Sequence, residues 1–274
     1  MTLQIRGAVL GSPIEHSLSP ILHLRAFELL GIAGSYSAIE VKGGELGNFI
    51  REEGENFDYL SLTMPLKEEV LELEEVLQID IDTLGRRIQS INTLVRDGAK
   101  WSATSTDGLG FLRALENRGY TRFQRVLILG AGGTARAIAG ALEGIADAVD
   151  VMGRSVRRNA PITHCFESMI PNFIIWDDAH DLSIYDLVVN TTPAGAADRV
   201  AENLSASIDS LFFDILYKPW PTALAQRWSD AGGNIIGGLD LLLYQGIEQL
   251  KLATHRETRE LGQELRLALS NAVI

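Results

Sequence analysis

The sequence predicts an α/β protein of two units, the second a doubly wound sheet of the Rossmann type, and three observations carry that prediction. Strand and helix signals alternate through about the first hundred residues. An apolar strand, a glycine turn and an alanine-rich helix then restart the pattern at Arg125. The length is the third observation, since 274 residues exceed the usual small domain and fall short of three.

In chain order, Gln4 to Leu10 reads as a buried strand and Pro20 to Leu30 as a helix stopped by Gly31. Tyr36 to Val41 and Tyr59 to Met64 read as the second and third strands. Glu68 to Leu77 has helical spacing, and its acidic run is expected to be a solvated face. Asn92 to Arg96 and Trp101 to Thr104 flank Asp97-Gly98, the dipeptide of a primed hairpin turn, and this hairpin is taken as the end of the first unit. A helix over Asp107 to Asn117 follows. Arg125 to Leu129 opens the second series, with a helix from Thr134 to Leu142 and further strands at Ala148 to Met152, Asn172 to Ile175, Asp186 to Val189 and Leu211 to Ile215. From Gly238 the chain reads as two amphipathic helices without a strand. No repeat or low-complexity linker separates the units, so a shared interface or connecting helices are expected.

Composition narrows the function. Hydrophobic residues make up 46% and charged residues 22%, which excludes disordered and collagen-like chains. Twenty-four Lys plus Arg against 36 Asp plus Glu leave a net charge of −12, the wrong sign for binding nucleic acid through its phosphates. The single cysteine, Cys165, cannot form an internal disulfide, which points to a reducing cytoplasm. The opening from Met1 to Gly7 lacks a basic segment followed by an apolar core, and no window reaches the ~18 apolar residues of a membrane span. A soluble, untargeted protein is expected.

Gly130-Ala131-Gly132-Gly133-Thr134-Ala135 fits G-x-G-x-x-A directly after a strand and at the mouth of a helix. In that context Gly130 permits the tight turn, Gly132 lets the backbone approach a pyrophosphate, and Ala135 allows close helix-to-strand packing. Dinucleotide binding follows, with a glycine turn needed only for packing as the alternative. The choice of cofactor depends on the end of the next strand. Asp150 has the naive spacing for a ribose hydroxyl but lies inside Val149-Asp150-Val151, whereas Arg154 follows the expected strand end at Gly153. Arg154, Arg157 and Arg158 can grip a 2′-phosphate, so NADP is expected over NAD, unless Arg157 and Arg158 merely solvate a helix start.

The first unit holds several polar fragments at element boundaries. Ser17 and Ser19 precede Pro20, where Ser19 can cap a helix or both hydroxyls can hold a carboxylate. Thr63-Met64-Pro65-Leu66-Lys67 places a lysine past a strand end, and Ser90-Ile91-Asn92-Thr93 and Ser105-Thr106-Asp107 add further groups. Taken singly, Lys67 reads as a surface solvator and Asp107 as a cap. His16, His23, His164, His180 and Glu15 show no metal-ligand spacing, and no metal is expected.

Together and in this order, these residues resemble the shikimate dehydrogenase family. The resemblance runs from Gly11-Ser12-Pro13-Ile14-Glu15-His16-Ser17-Leu18-Ser19-Pro20 through Thr63 to Lys67, Asn92-Thr93, Thr106-Asp107 and Gly130 to Gly133. It continues at Asn190-Thr191-Thr192-Pro193-Ala194-Gly195, Asp214 to Pro219, and Gly238-Leu239 with Gln245. It implies an NADP-dependent oxidoreductase interconverting 3-dehydroshikimate and shikimate on the chorismate route to aromatic amino acids. By similarity Ser17 and Ser19, helped by Tyr217, hold the substrate carboxylate, and Thr63, Lys67, Asn92, Asp107 and Gln245 contact its ring oxygens. Lys67 and Asp107 are implied as the catalytic pair. Gly130, Ala131, Gly132, Gly133, Thr134, Ala135, Arg154, Ser155, Arg157, Arg158, Asn190, Thr191, Thr192 and Gly238 are implied as cofactor contacts. The implied organisation is a substrate-binding domain over 1–104 and an NADP-binding domain over 105–238. Helices over 239–274 return to the first domain, with the active site in the cleft between domains, in a monomer or homodimer.

Chemistry supports the pair independently. Hydride reduction of a ketone builds an alkoxide that needs a proton, and an ammonium can polarise the carbonyl and then donate. A neighbouring carboxylate orients that ammonium. Four positions depart from the usual family pattern: Ser61 and Ser105 stand in place of Asn, Gly153 in place of the Asn before the arginine, and Leu241 in place of Met. They spare Lys67 and Asp107. Two rival readings are a quinate-oxidising relative using NAD and a noncatalytic NADP-sensing module.

Overall fold

A computed structural model describes residues 4–273, so the first three residues of the opening lie outside it. In chain order the first elements are β1 (Gln4–Gly11), α1 (Ser19–Leu30), β2 (Ala33–Glu40), α2 (Leu46–Glu53) and β3 (Tyr59–Leu62). There follow α3 (Leu66–Glu72), α4 (Glu74–Leu77), β4 (Asp80–Ile81), α5 (Thr83–Ile88), β5 (Thr93–Asp97), β6 (Lys100–Thr104) and α6 (Asp107–Asn117). The second series is β7 (Phe123–Leu129), α7 (Gly133–Leu142), β8 (Ala146–Gly153), α8 (Asn159–Thr163), β9 (Asn172–Ile175), β10 (Leu187–Asn190) and α9 (Asp198–Glu202). It ends with β11 (Leu211–Asp214), α10 (Ala223–Asp230), β12 (Asn234–Ile236), α11 (Gly238–Thr254) and α12 (Gly262–Ala272). The chain divides into two units, one formed by residues up to Gly110 together with those from Leu242 onward, the other by Phe111–Leu241.

The first unit carries a mixed six-stranded sheet in the order β2-β1-β3-β5-β6-β4. β1 runs parallel to both β2 and β3, and the hairpin β5-β6 adds antiparallel strands next to β3. β1 is buried on both faces, as a central parallel strand covered by helices must be. Ala8, Leu10, Leu60, Leu62 and Leu94 of the sheet pack with Leu46, Ile50, Leu66 and Val70 of α2 and α3. The chain leaves β1 for β2 on one side and pairs β3 on the other. The carboxyl ends of β1 and β3 therefore flank a topological switch point, where α/β sheets bind ligands. Backbone bonds from Thr63 N–H to Leu10 O at 2.9 Å and from Ser12 N–H to Met64 O at 3.0 Å hold those two ends together.

The second unit is an all-parallel sheet in the order β12-β11-β10-β7-β8-β9, which is doubly wound, the class expected from sequence. Leu127, Leu129, Met152, Val188 and Phe212 line one face against Val200, Leu224, Ala225 and Trp228. Here the switch point lies between β7 and β10, so the loops after Leu129 and Asn190 face each other across it.

Three local readings change. The acidic helix expected over Glu68 to Leu77 is two helices divided at Leu73, whose N–H turns back to Val70 O. The hairpin turn is Gly98-Ala99 and not Asp97-Gly98, because Asp97 pairs with Lys100 in the ladder and Gly98 alone takes a left-handed φ of 61°. Ser19 does not cap α1: Leu18 holds the cap position without a side-chain bond, and Ser19 is already helical and buried.

Candidate active site

The glycine turn after β7 has the geometry its sequence implies. Gly130 takes φ 106°, and a Cβ there would meet Thr191 Oγ1 at 2.4 Å, so a side chain is excluded by both conformation and space. Gly132 is different, with an ordinary extended backbone and no heavy atom within 4 Å of a built Cβ. Its missing side chain leaves room for something outside the protein backbone. Gly132 is also the cap residue of α7 and offers no side-chain acceptor to the first turn, whose N–H groups form the positive end of the helix. Gly133 begins that helix, Thr134 follows, and Ala135 is fully buried beneath the turn.

Across the switch point, Thr191 donates from both N–H and Oγ1 to Leu129 O, at 2.8 and 2.7 Å, tying the two loops together. Asn190 is locked from both ends. Its Oδ1 accepts from Thr192 N–H and Oγ1, and its Nδ2 donates to the Asp214 carboxylate at 3.2 Å. Asp214 also accepts from Thr222 Oγ1 at 2.7 Å and from Leu216 N–H at 3.0 Å. Burial nevertheless pushes the Asp214 carboxyl above its ordinary range. Gly238 closes against the β11 exit, where a Cβ would meet Ile215 O at 2.1 Å.

The two candidates for the adenosine side part company. Asp150 lies within β8 and accepts from Arg125 at 2.7 Å and from the Tyr185 hydroxyl at 2.6 Å, so its carboxylate serves the sheet interior. Arg154 directly follows the end of β8 and is exposed, as are Arg157 and Arg158 on the short turn that Ser155 Oγ caps. At Gly153 a Cβ would lie 2.8 Å from the Phe173 ring, so a side chain there would need that ring to shift.

In the first unit the scattered polar fragments form a cluster. Lys67, in the first turn of α3, reaches Asp107 at the start of α6 with Nζ 2.5 Å from Oδ2. Their side chains are 16% and 5% exposed, so Lys67 is no surface solvator. Asp107 Oδ1 accepts from Asn92 Nδ2 at 2.7 Å. The Asn92 amide orientation is fixed because its Oδ1 accepts a backbone N–H, that of Thr106, at 2.8 Å. Gln245 on α11 lies alongside, Oε1 3.2 Å from Asn92 Nδ2, and its own amide donates to Leu242 O.

The cluster thus contains Lys67, Asn92, Asp107 and Gln245. Thr63 sits at the exit of β3, four positions before Lys67 and hydrogen-bonded to β1 through its N–H. Ser17 lies in the loop after β1, on the other strand of the switch point, and Ser19 opens α1; Ser17 Oγ accepts the Ser19 N–H at 3.3 Å. Tyr217 lies in the second unit, after β11. Sequence reasoning passed over His23, Tyr36, Tyr59 and Gln249, which are buried behind Asn92 in the same unit. Their only sequence signal is polarity on otherwise apolar faces.

The sequence pattern of the shikimate dehydrogenase substrate binding domain matches residues 9–94. The NADP(+)-dependent shikimate dehydrogenase of Methanococcoides burtonii is 37% identical over 257 residues, which cover 91% of this chain and 92% of that one. Among solved structures, the shikimate 5-dehydrogenase of Thermus thermophilus in complex with NADP(H) and shikimate is 30% identical with a TM-score of 0.84, covering 98% of this chain and 99% of that one. The shikimate dehydrogenase of Mycobacterium tuberculosis is 32% identical with a TM-score of 0.85, covering 97% and 99%.

Proposed function

Because the chain belongs to the shikimate dehydrogenase family, we propose that it interconverts 3-dehydroshikimate and shikimate with NADP(H), and that Lys67 and Asp107 manage the proton. The reaction belongs to the chorismate route to aromatic amino acids. The observation that carries the residue assignment is the 2.5 Å Lys67–Asp107 pair, little exposed and set beside the switch point of the first sheet.

NADPH, when bound, supplies the hydride. The residues of the second unit fit that group: the open Gly132, the uncapped N-terminus of α7 and the Asn190-Thr191-Thr192 loop for the pyrophosphate side, and Arg154 with Ser155, Arg157 and Arg158 for a 2′-phosphate. The remaining proposed contacts are Ala131, Gly133, Thr134 and Gly238, with Ala135 packing under them and Gly130 shaping the turn.

On the substrate, Ser17 and Ser19 hold the carboxylate with help from Tyr217, and Thr63, Asn92 and Gln245 take the ring oxygens. As the carbonyl becomes an alkoxide, the Lys67 ammonium stabilises the growing charge and then gives up a proton to the oxygen. Asp107 holds the ammonium in place and joins the proton network with the substrate hydroxyl. In the oxidative direction the same groups take the proton back.

The net charge of −12 supports a small-molecule substrate over nucleic acid. Among the described residues no helix is long and apolar enough to cross a membrane. The lone, buried Cys165 accords with a reducing cytoplasm, and the protein acts there as a monomer or homodimer.

Replacing Lys67 by Met keeps the length and apolar stem and removes the ammonium. Shikimate oxidation by Lys67→Met should show kcat lower by about 10² to 10⁴, the span of general acid–base catalysis, with NADP affinity retained. A variant with wild-type kcat would show that the proton travels by another route.

A further inference from the structure

The polar cluster continues inward from Asn92 through the first unit. Gln249 on α11 donates from Nε2 to the Asn92 carbonyl oxygen and to Thr93 Oγ1, each at 3.0 Å. Its Oε1 accepts from Ser61 Oγ at 2.9 Å, and Ser61 in turn accepts from the Tyr36 hydroxyl at 2.6 Å. Tyr36 stacks on His23 with ring centroids 4.0 Å apart, and His23 Nδ1 bonds the Tyr59 hydroxyl at 2.7 Å. All of these side chains are buried.

Two fixed backbone groups settle the direction of each bond between Tyr36 and Asp107. A carbonyl oxygen only accepts, so the contact with Asn92 O identifies the nitrogen end of the Gln249 amide. Oε1 then takes the Ser61 hydrogen, and Ser61 takes the Tyr36 hydrogen. At the other end the Thr106 N–H fixes Asn92 Oδ1 as an acceptor, so the Thr93 hydroxyl donates to it at 2.7 Å and Nδ2 faces Asp107. From Tyr36 through Ser61, Gln249, Thr93 and Asn92 to Asp107, the bonds form one connected chain that ends on the carboxylate. Linked bonds of this kind polarise one another and hold each amide in one orientation.

We propose that Gln249, acting with Thr93, is a positioning residue for the reaction: it locks Asn92, and through Asn92 the Asp107 carboxylate opposite Lys67. The role rests on the proposed function, and it explains why a buried glutamine on α11 bonds Ser61 of β3, the Asn92 backbone and Thr93 of β5 at once. Removing the Gln249 and Thr93 bonds takes one hydrogen bond from the Asn92 backbone carbonyl and one from its side-chain oxygen, leaving the amide held by Thr106, Gln245 and Asp107 alone and freer to turn away from Asp107 Oδ1.

The test is steady-state shikimate oxidation and thermal melting of the full-length chain as wild type, Gln249→Met, Thr93→Val and Thr93→Ser. Gln249→Met and Thr93→Val should lower kcat by about 10- to 10²-fold, the cost of misplacing a reacting group by around 1 Å, while the KM for NADP stays put. Thr93→Ser keeps the hydroxyl and should lose far less. Wild-type kcat in both severing variants, with only the melting temperature lowered, would make Gln249 merely structural and overturn the proposal. So would a Thr93→Ser loss as deep as that of Thr93→Val. If Gln249→Met does not fold, the two Thr93 variants decide alone. A wild-type chain that forms no NADPH from shikimate overturns the function on which the role rests, whereas an active wild type with unaffected variants overturns the positioning role only.

Discussion

Lys67 and Asp107 are 40 positions apart in sequence, and neither is distinctive by itself. A lysine after a strand usually solvates a surface, and an aspartate before a helix usually caps it. Their chemistry was legible only from the order of motifs around them, and the structure supplies the physical reason: α3 and α6 begin at strand exits of the same sheet and turn the two side chains together. Ser19 shows the reverse, since the capping reading suited the sequence and yet the helix begins one residue earlier. His23 has no ligand spacing, and its burial has a different consequence. Burial lowers its imidazole from 6.5 to about 3. Between those values the unfolded chain holds a proton that the folded chain does not. The contribution is therefore fully present above about pH 6.5 and is lost as pH falls, by at most about 1.4 kcal/mol per pH unit. Urea unfolding of His23→Gln at about pH 7 and about pH 5 should show a smaller drop in stability than wild type. Equal drops would mean that His23 does not carry this acid sensitivity.

At the scale of elements, hydrophobic patterning located most strands to within a few residues, and α6 and β9 at their observed bounds. What it missed were short elements held by tertiary pairing. β4 and β12 have two and three residues, too few for a period, and α5 is a six-residue helix opened by an Asp82 cap. The division at Leu73 carries no glycine or proline to announce it. β8 bears most directly on the proposed cofactor site, because its length decides which side chain stands at the strand end. It runs through Asp150, turning that carboxylate onto Arg125 and Tyr185, and stops at Gly153, delivering Arg154. Arg154→Ala should weaken NADP by about 10- to 10²-fold, equivalent to the roughly 1.5–3 kcal/mol of a charge-assisted hydrogen bond, and leave NAD nearly unchanged. Titrating both cofactors checks this, and equal losses would place Arg154 at a part common to the two.

For the whole molecule, the first unit is discontinuous in sequence, with the residues from Leu242 onward rejoining a unit whose sheet begins at Gln4. That closure could not be read from local pattern, since Ser61 and Gln249 are 188 positions apart and nothing near either one names the other. The second unit was more readable, because the glycine turn between β7 and α7 is a local β-turn-α signature that marks a doubly wound sheet. Under the proposed function each unit carries one of the two tasks the reaction requires, a proton site on one sheet and a dinucleotide site on the other. The most direct test is a comparison of kcat/KM for the wild-type protein with shikimate and quinate, each with NADP and NAD. The account predicts rapid NADPH formation from shikimate, with NADP preferred over NAD by about 10- to 10²-fold and quinate the poorer substrate. NADP binding without turnover of shikimate, or a preference for quinate with NAD, would contradict it.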